Sequence, residues 1–174
     1  MKKVIIVHGW GGNPNNHWFP SVADSLKQEG FQVEVPEMPN TNKPEMSAWV
    51  NKLTEIVPKP NRETYFIGHS IGCQAILRYL DSLKGGVQVG KIVLVAPYLH
   101  NALDKSIDFE KVKRHISNIT AIFSDNDEEV SLSDKEIFKA LLDAKIIVEH
   151  NKGHFTEGDN VIEFPLVVKE VVTI

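Results

Sequence analysis

Cysteine is nearly absent from this sequence, because Cys73 is the only one among 174 residues. An intramolecular disulfide is therefore excluded, and the folded state has to be stabilised by a hydrophobic core. A length of 174 residues suits one domain with one such core. The scarcity of cysteine is typical of proteins in a reducing compartment, so we expect a cytoplasmic protein. We interpret Cys73 itself as a small buried residue.

Positive charge is not in excess either. The sequence has 19 Lys and Arg residues against 23 Asp and Glu residues, and its basic residues are scattered. We therefore expect neither nucleic acid nor a membrane surface as a partner. Long hydrophobic runs are missing too, since none approaches the length of a transmembrane helix. The apolar run at residues 4–7 is too short for a signal peptide, and we predict that it is a first buried strand.

Several binding motifs are also missing. The sequence contains neither the Gly-x-Gly-x-x-Gly nor the Walker A pattern, so nucleotide binding has no support. His150 and His154 are four residues apart, but they follow a predicted strand and lack the His-Glu-x-x-His pattern. No third ligand is evident near them, which argues against a zinc site. We therefore expect no cofactor and no metal.

The sequence does contain a regular alternation of short apolar runs with helical patterns. We predict strands at residues 4–7, 32–35, 65–67, 91–95, 119–123 and 145–149. We predict helices at residues 18–28, 47–57, 71–83, 133–142 and 164–172. This alternation indicates a single α/β domain over residues 1–174, a three-layer sandwich with a mainly parallel sheet of about six strands. Near-continuous apolar strands are typical of a sheet that helices cover on both faces.

Two serines are candidate helix caps, and one segment is ambiguous. Ser47 is a plausible N-cap of the second helix. Ser133, with Glu136 three residues later, matches a capping box. Within residues 97–118, one helix would account for four apolar residues: Ile107, Phe109, Val112 and Ile116. That helix would leave little room for a lid over a functional site.

Residues 68–72, Gly-His-Ser-Ile-Gly, are the most informative stretch of the chain. They follow an apolar run typical of a strand and precede an amphipathic run typical of a helix. A strand, Gly-x-Ser-x-Gly and a helix together indicate a nucleophile elbow. The turn is so tight that only small residues fit two positions either side of Ser70. It would expose the hydroxyl at a helix N-terminus, where backbone N–H groups can stabilise an oxyanion.

Two later loops supply the partners that a serine nucleophile needs. A serine hydroxyl requires a base that takes its proton and a third group that orients the base. An acidic loop at residues 124–130 follows the fifth predicted strand, and His154 follows the sixth. Functional loops of a parallel sheet gather at the carboxyl ends of its strands. Serine, acid and histidine in this order are typical of an α/β-hydrolase triad.

The sequence resembles the α/β-hydrolases, and more narrowly the small serine hydrolases of the retinoblastoma-binding protein 9 and YdeN type. The resemblance covers nearly the whole chain. It depends on five stretches: His8-Gly9, His17-Trp18, the elbow at residues 68–72, the acidic loop at residues 124–130, and Gly153-His154-Phe155.

The resemblance implies roles for five residues. Ser70 would be the nucleophile, His154 the base and Asp127 the orienting acid. The backbone N–H groups of Trp10 and Ile71 would form the oxyanion hole.

The acidic loop departs from the pattern of the α/β-hydrolases, which usually reads Gly-x-x-Asp-x-x-Val-Pro. Ser124 stands in the glycine position and Ser131 in the proline position. Asp127 fits the aspartate position, but Asp125 is close enough to remain an alternative acid.

Several residues near these motifs are candidates for substrate binding. Gly9 lies in a glycine-containing loop whose backbone can approach a bound group closely. His69 is expected to be a packing or pocket residue rather than the base. Trp18 and Phe155 could line an acyl pocket, although Trp18 could equally belong to the core. His8 is expected to make structural hydrogen bonds near the site.

The sequence therefore predicts a serine hydrolase of the carboxylesterase type, which cleaves small esters, thioesters or amides through an acyl-enzyme. Its expected partner is a small-molecule acyl substrate, and the oligomeric state is left open. One alternative is a low-turnover binding protein with the same fold. Binding to the retinoblastoma pocket protein is disfavoured, because the Leu-x-Cys-x-Glu motif is missing. Another alternative is acyltransferase or lyase chemistry on the same triad.

Overall fold

A six-stranded parallel sheet forms the centre of the protein in the computed structural model, which describes residues 1–99 and 107–173. Its strands lie in the order β2-β1-β3-β4-β5-β6, and every neighbouring pair is parallel. The strands are β1 Lys3–Val7, β2 Gln32–Glu34, β3 Thr64–His69, β4 Val89–Val95, β5 Ile116–Ser124 and β6 Lys145–Glu149. The α/β architecture predicted from the sequence is confirmed.

Helices cover both faces of the sheet. They are α1 Phe19–Gln28, α2 Met46–Ile56, α3 Ile71–Ser82, α4 Phe109–His115, α5 Lys135–Leu142 and α6 Pro165–Val172. Helix α1 connects β1 to β2 at one edge of the sheet. Helices α2 to α5 each connect to a strand further towards the opposite edge, at β6. Right-handed crossovers therefore place α1 on the opposite face from these four helices. The contacts agree, because α1 packs against α6, whereas α2, α3, α4 and α5 contact one another in series.

The core lies between the sheet and these helices. Strand β3 is buried at all six positions, and β4 is buried at every position except Lys91. Such burial is expected for central strands with helices on both sides. Within the two described ranges, no helix is long and apolar enough to cross a membrane.

Both predicted serine caps are wrong. Helix α2 begins at Met46, so Ser47 already lies inside its first turn, and the preceding Glu45 makes no side-chain cap. Ser133 lies inside a short 3-10 helix, Leu132–Asp134, that precedes α5. Its backbone N–H donates to the hydroxyl of Ser131, two residues earlier. A local serine pattern therefore located the helix start only to within one turn.

The prediction of one helix from Ile107 to Ile116 is also wrong in extent. Asp108 accepts a hydrogen bond from the backbone N–H of Lys111, and this cap starts α4 at Phe109. Ile116 is the first residue of β5 and pairs with Val89 of β4. Pairing in the sheet thus overrides the helical spacing at Ile116. Residues 100–106, which are part of the 97–118 segment behind the expectation of a minimal lid, lie outside the described residues.

Candidate active site

Ser70 lies in the turn between β3 and α3 with a backbone conformation that is rare for a non-glycine residue. Its φ is 55° and its ψ is -124°. The turn is held by three hydrogen bonds. The Ser70 N–H donates to the Val95 carbonyl (3.0 Å), and the Ser70 carbonyl accepts from the N–H groups of Cys73 (3.1 Å) and Tyr98 (3.2 Å). A strained conformation persists only where the surroundings fix it, and it is common at functional sites.

The glycines on either side of Ser70 permit close packing of the turn. A Cβ atom at Gly72 would overlap the carbonyl oxygens of Val7 and His8 at the end of β1. A Cβ atom at Gly68 would lie 2.9 Å from the Cα atom of Cys73 in α3. Both positions therefore exclude a side chain, which is the physical reason for the small residues in the motif.

Ser70, His154 and Asp127 form a continuous hydrogen-bonded chain. The Ser70 hydroxyl lies 2.9 Å from His154 Nε2, and His154 Nδ1 lies 2.9 Å from Asp127 Oδ2. A carboxylate can only accept, so Nδ1 carries the ring proton and Nε2 is free to accept from the hydroxyl. The Asp127 side chain is 2% exposed, and its Oδ1 atom also accepts from the backbone N–H groups of Glu129 and Val130.

Asp125 has different partners. Its carboxylate lies 2.6 Å from His150 Nδ1 and accepts from the backbone N–H of Asn151 at 2.9 Å. These two contacts lower the pKa of Asp125, the Asn151 N–H having the larger effect, and Asp125 in turn raises the pKa of His150. Of the two candidate acids, the geometry therefore brings only Asp127 to His154.

Ser124 and Asn126 tie the acidic loop to the loop that carries His154. The Ser124 hydroxyl donates to Asn126 Oδ1 (2.8 Å) and accepts from the Lys152 N–H (3.0 Å). The same Asn126 oxygen accepts from the Gly153 N–H at 2.9 Å. The serine that departs from the glycine of the usual pattern thus has a structural role. Sequence reasoning missed this contact, because it joins two loops that are distant in the chain.

Asp159 holds the backbone of the same loop and was also missed. Its Oδ2 atom accepts from the His154 N–H (3.1 Å), the Thr156 N–H (3.0 Å) and the Thr156 hydroxyl (2.7 Å). Burial opposes ionisation of Asp159, but these hydrogen bonds outweigh it and lower its pKa. Gly153 packs so closely against this carboxylate that a Cβ atom there would overlap it. Thr156 and Asp159, three residues apart, match a capping-box pattern that could have revealed the contact.

The backbone N–H groups of Trp10 and Ile71 are the two donors that the resemblance predicts for an oxyanion hole. Ile71 is the first residue of α3, so its N–H has no partner within the helix. Neither N–H donates to any acceptor in residues 1–99 and 107–173. Gly9 brings its backbone close to the serine, since a Cβ atom there would lie 3.1 Å from that of Ser70. The Trp10 indole is 69% exposed and donates to the Asn42 carbonyl.

His8 sets the orientation of the peptide that carries the Trp10 N–H. His8 Nε2 accepts from the Met38 N–H (3.1 Å), so the ring proton is on Nδ1, which donates to the Gly9 carbonyl (3.0 Å). That carbonyl and the Trp10 N–H belong to one planar peptide, so fixing one fixes the other. Burial lowers the pKa of His8 and favours the neutral ring that this arrangement needs.

His69 contacts both the backbone and the ring of His154. Its Nε2–H donates to the His154 carbonyl at 2.8 Å, and the two rings lie 5.1 Å apart. His69 is 2% exposed, and burial lowers its pKa to about 3, so the ring is neutral. Its Nδ1 atom has no hydrogen-bond partner within the described part of the chain. His69 borders the cavity described next, as predicted, but its hydrogen bond goes to the protein.

A cavity of about 1010 Å³ opens over Ser70 and His154. Gly9 borders it, and its role in substrate binding stays a prediction. Trp18 and Phe155 do not, and both are completely buried. The Trp18 indole donates to the Phe155 carbonyl (3.1 Å), and the Phe155 ring stacks on Phe164 at 5.2 Å. Their prediction as pocket residues is corrected, because both rings are used for packing beneath the site.

The described residues contain no cluster of three or more His, Cys, Asp or Glu side chains that could hold a metal ion.

The sheet order, the serine turn and the loops after β1, β5 and β6 define the protein as an α/β-hydrolase by fold. Comparison with known proteins narrows this class. A model of the serine hydrolase family matches residues 4–172. The chain therefore belongs to the serine hydrolase family and is a hydrolase.

Individual relatives agree with this family. The chain is 31% identical to the putative hydrolase YdeN of Bacillus subtilis (strain 168), over 95% of this chain and 92% of that protein. It is 28% identical to the serine hydrolase RBBP9 of Rattus norvegicus, over 99% of this chain and 96% of that protein. The crystal structure of the B. subtilis ydeN gene product superposes with a TM-score of 0.91 at 29% identity, covering 97% of this chain and 96% of that one. The resemblance stated from the sequence is confirmed.

Proposed function

We propose that the protein is a carboxylesterase-like hydrolase that cleaves small esters, thioesters or amides with Ser70, His154 and Asp127 as its triad. The observation that carries the proposal is the hydrogen-bonded chain from Asp127 through His154 to Ser70. This chain ends at a hydroxyl that borders a cavity of about 1010 Å³. Cavities of roughly 300–1000 Å³ are typical of small-molecule sites, which supports a small acyl substrate.

The first half of the reaction acylates the enzyme. Ser70 Oγ attacks the substrate carbonyl carbon while its proton passes to His154 Nε2. The carbonyl oxygen becomes an oxyanion and accepts hydrogen bonds from the N–H groups of Trp10 and Ile71. His154 then donates the proton to the oxygen, sulfur or nitrogen of the leaving group, whose bond to the carbonyl carbon breaks. The acyl group remains on Ser70 as an ester.

The second half releases the acyl group. Water takes the place of the leaving group and transfers a proton to His154 Nε2 as its oxygen attacks the acyl carbon. The tetrahedral intermediate collapses, the bond to Ser70 Oγ breaks, and His154 returns the proton to the serine. Asp127 remains a carboxylate throughout and stabilises the imidazolium formed in each half. No cofactor is needed for this sequence of steps.

Labelling with a fluorophosphonate probe tests the nucleophile. The wild-type protein should form one adduct at Ser70, located by mass spectrometry of its peptides. Ser70→Ala should lose the adduct and reduce kcat for p-nitrophenyl acetate at least about 10⁴-fold, because the covalent step has no nucleophile. Ser131→Ala is the matched control, since its exposed hydroxyl bonds to the hydroxyl and N–H of Ser133, two residues later, and to nothing else among the described residues. An adduct that persists on Ser70→Ala would contradict the assignment.

A further inference from the structure

His17 is a histidine beside the cavity that the triad does not use, and its backbone is held in an unusual conformation. Its φ is 54°, in the left-handed region that non-glycine residues seldom adopt. It lies three residues after Pro14 and directly before Trp18, in the loop that joins β1 to α1. Such strain is retained where the surrounding structure fixes the residue, and it points to a role for the side chain.

The imidazole of His17 is fixed by three contacts. Its Nδ1 atom accepts a hydrogen bond from the Glu157 N–H at 3.1 Å. Its ring packs edge-on against Phe19 at 5.5 Å and His69 at 5.6 Å between ring centroids. A backbone N–H can only donate, so Nδ1 is unprotonated and the neutral ring carries its proton on Nε2. Burial lowers the pKa of His17 and favours this neutral form.

The Nε2–H group of His17 is the hydrogen-bonding group of the ring that the contact with Glu157 does not use. No acceptor for it exists in residues 1–99 and 107–173, and the residue borders the cavity together with Ser70 and His154. A fixed, partly buried donor gains free energy when an acceptor reaches it. Its position therefore favours a ligand with an oxygen atom that can accept this hydrogen bond.

The position of His17 relative to His154 indicates which part of a substrate reaches it. Glu157, which bonds to the His17 ring, belongs to the loop that follows His154. The His69 ring packs against both other rings, 5.6 Å from His17 and 5.1 Å from His154 between ring centroids. A leaving group takes its proton from His154 Nε2, so it departs on the side of the cavity that this loop builds.

We propose that His17 is a specificity-determining residue whose Nε2–H donates to an acceptor oxygen in the leaving group. The preferred substrates are then esters of alcohols that carry an ether, hydroxyl or carbonyl oxygen, rather than esters of purely aliphatic alcohols. This inference rests on the proposed function, because it places the leaving group beside His154, the base of the proposed triad. The acyl part lies elsewhere in the cavity and does not contact His17.

A pair of matched esters tests the inference. The esters 2-methoxyethyl acetate and butyl acetate share their acyl group and differ by an oxygen in place of a methylene. For the wild type, the kcat/KM ratio of the first ester to the second should exceed the ratio of their alkaline hydrolysis rates. One hydrogen bond between neutral groups should raise the kcat/KM ratio about 3–10-fold above the alkaline ratio. Equal ratios would overturn the inference without any variant.

Two variants assign that preference to His17. His17→Phe keeps the ring packing but loses both nitrogens, and Phe155 shows that this fold accepts phenylalanine at a φ of 57°. It should lower the ratio about 3–10-fold towards the alkaline value. His17→Gln keeps a side-chain N–H near the Nε2 position and should recover part of the ratio. Because each variant is compared with itself on two esters, a general loss of activity cancels.

Two controls separate the remaining outcomes. Butyl methoxyacetate carries the same ether oxygen in its acyl part, and its rate relative to butyl acetate should not change in His17→Phe. A change there, with none for 2-methoxyethyl acetate, would place the donor on the acyl side and overturn the inference. Fluorophosphonate labelling of Ser70 is measured in parallel. A wild type that neither reacts with the probe nor cleaves any of the esters would overturn the proposed function itself, whereas a labelled, active enzyme with no ester preference would overturn only the role of His17.

Discussion

At the scale of single residues, two aspartates two positions apart have quite different surroundings. Asp127 is almost completely buried and bonds to His154, whereas Asp125 bonds to the exposed His150 and to the backbone of the neighbouring loop. Motif alignment favours Asp127 but leaves Asp125 as an alternative, because the two lie only two positions apart. Hydrogen bonding separates them, because only one carboxylate can orient the imidazole that accepts the serine proton.

The two aspartates therefore provide a matched pair of substitutions. Asp127→Asn should reduce kcat for p-nitrophenyl acetate about 10³–10⁴-fold, because an amide no longer holds His154 in the tautomer that accepts the Ser70 proton. Asp125→Asn should reduce kcat less than about tenfold, since its contacts only support the loop. Initial rates for both variants and the wild type at one pH measure the difference. The opposite ranking would move the acid to Asp125.

At the scale of elements, the turn from β3 to α3 packs tightly against the end of β1. Gly72→Ala should lower the free energy of unfolding by about 3 kcal/mol or more, because its Cβ atom would meet backbone carbonyls that cannot move independently. Gly85→Ala is the control, since a Cβ atom there meets nothing within 4 Å. It should change the free energy by less than about 0.5 kcal/mol. Urea unfolding monitored by circular dichroism measures both, and similar midpoints would contradict the packing argument.

The strands, and the loops that carry the candidate triad, were predictable because apolar runs and turn residues are local features of the sequence. Apolar runs bounded by polar turns located all six strands, and the rule that loops meet at the carboxyl ends brought Ser70, the acidic loop and His154 together. The start of α2 was missed because a serine near a helix start need not cap it. The C-terminal end of α4 was missed because Ile116 pairs with β4, a contact that no helical pattern contains.

The surroundings of the site were less predictable, because they depend on contacts between distant loops. Trp18 fits a pocket or a core equally well by composition, and only its burial beneath Phe155 distinguishes the two. The hydrogen bond of Asn126 joins the loops that follow two different strands. That of Asp159 joins residues within one irregular loop. The His17-Trp18 pair contributes to the family resemblance, but the role of His17 depends on a ring orientation that sequence alone does not contain.

At the scale of the whole molecule, the lowered pKa values of His8, His17 and His69 make the stability depend on pH. Burial lowers the pKa values of His8, His17 and His69, that of His69 to about 3. An unfolded histidine titrates near about 6.5. Below that pH the unfolded chain therefore binds protons that the folded protein does not, and the free energy of unfolding falls as pH falls. His150 has the opposite sign, because Asp125 raises its folded pKa and stabilises the folded protein more at low pH.

The last prediction is that one of these histidines can be removed from the pH dependence without removing its hydrogen bond. His69→Gln does not titrate, yet its side-chain amide can still donate to the His154 carbonyl. His69 contributes a slope of up to about 1.4 kcal/mol per pH unit below its unfolded pKa. The free energy of unfolding from urea titrations between about pH 5 and 7.5 should therefore fall less steeply in His69→Gln than in the wild type. That range lies above the lowered pKa values of Asp159 and Glu170, so these carboxylates stay ionised in the folded state.

His150→Gln is the control of opposite sign and should make the slope steeper. Parallel curves for His69→Gln and the wild type would show that His69 binds its proton equally in the folded and unfolded protein, and the lowered pKa assigned to its ring would be wrong.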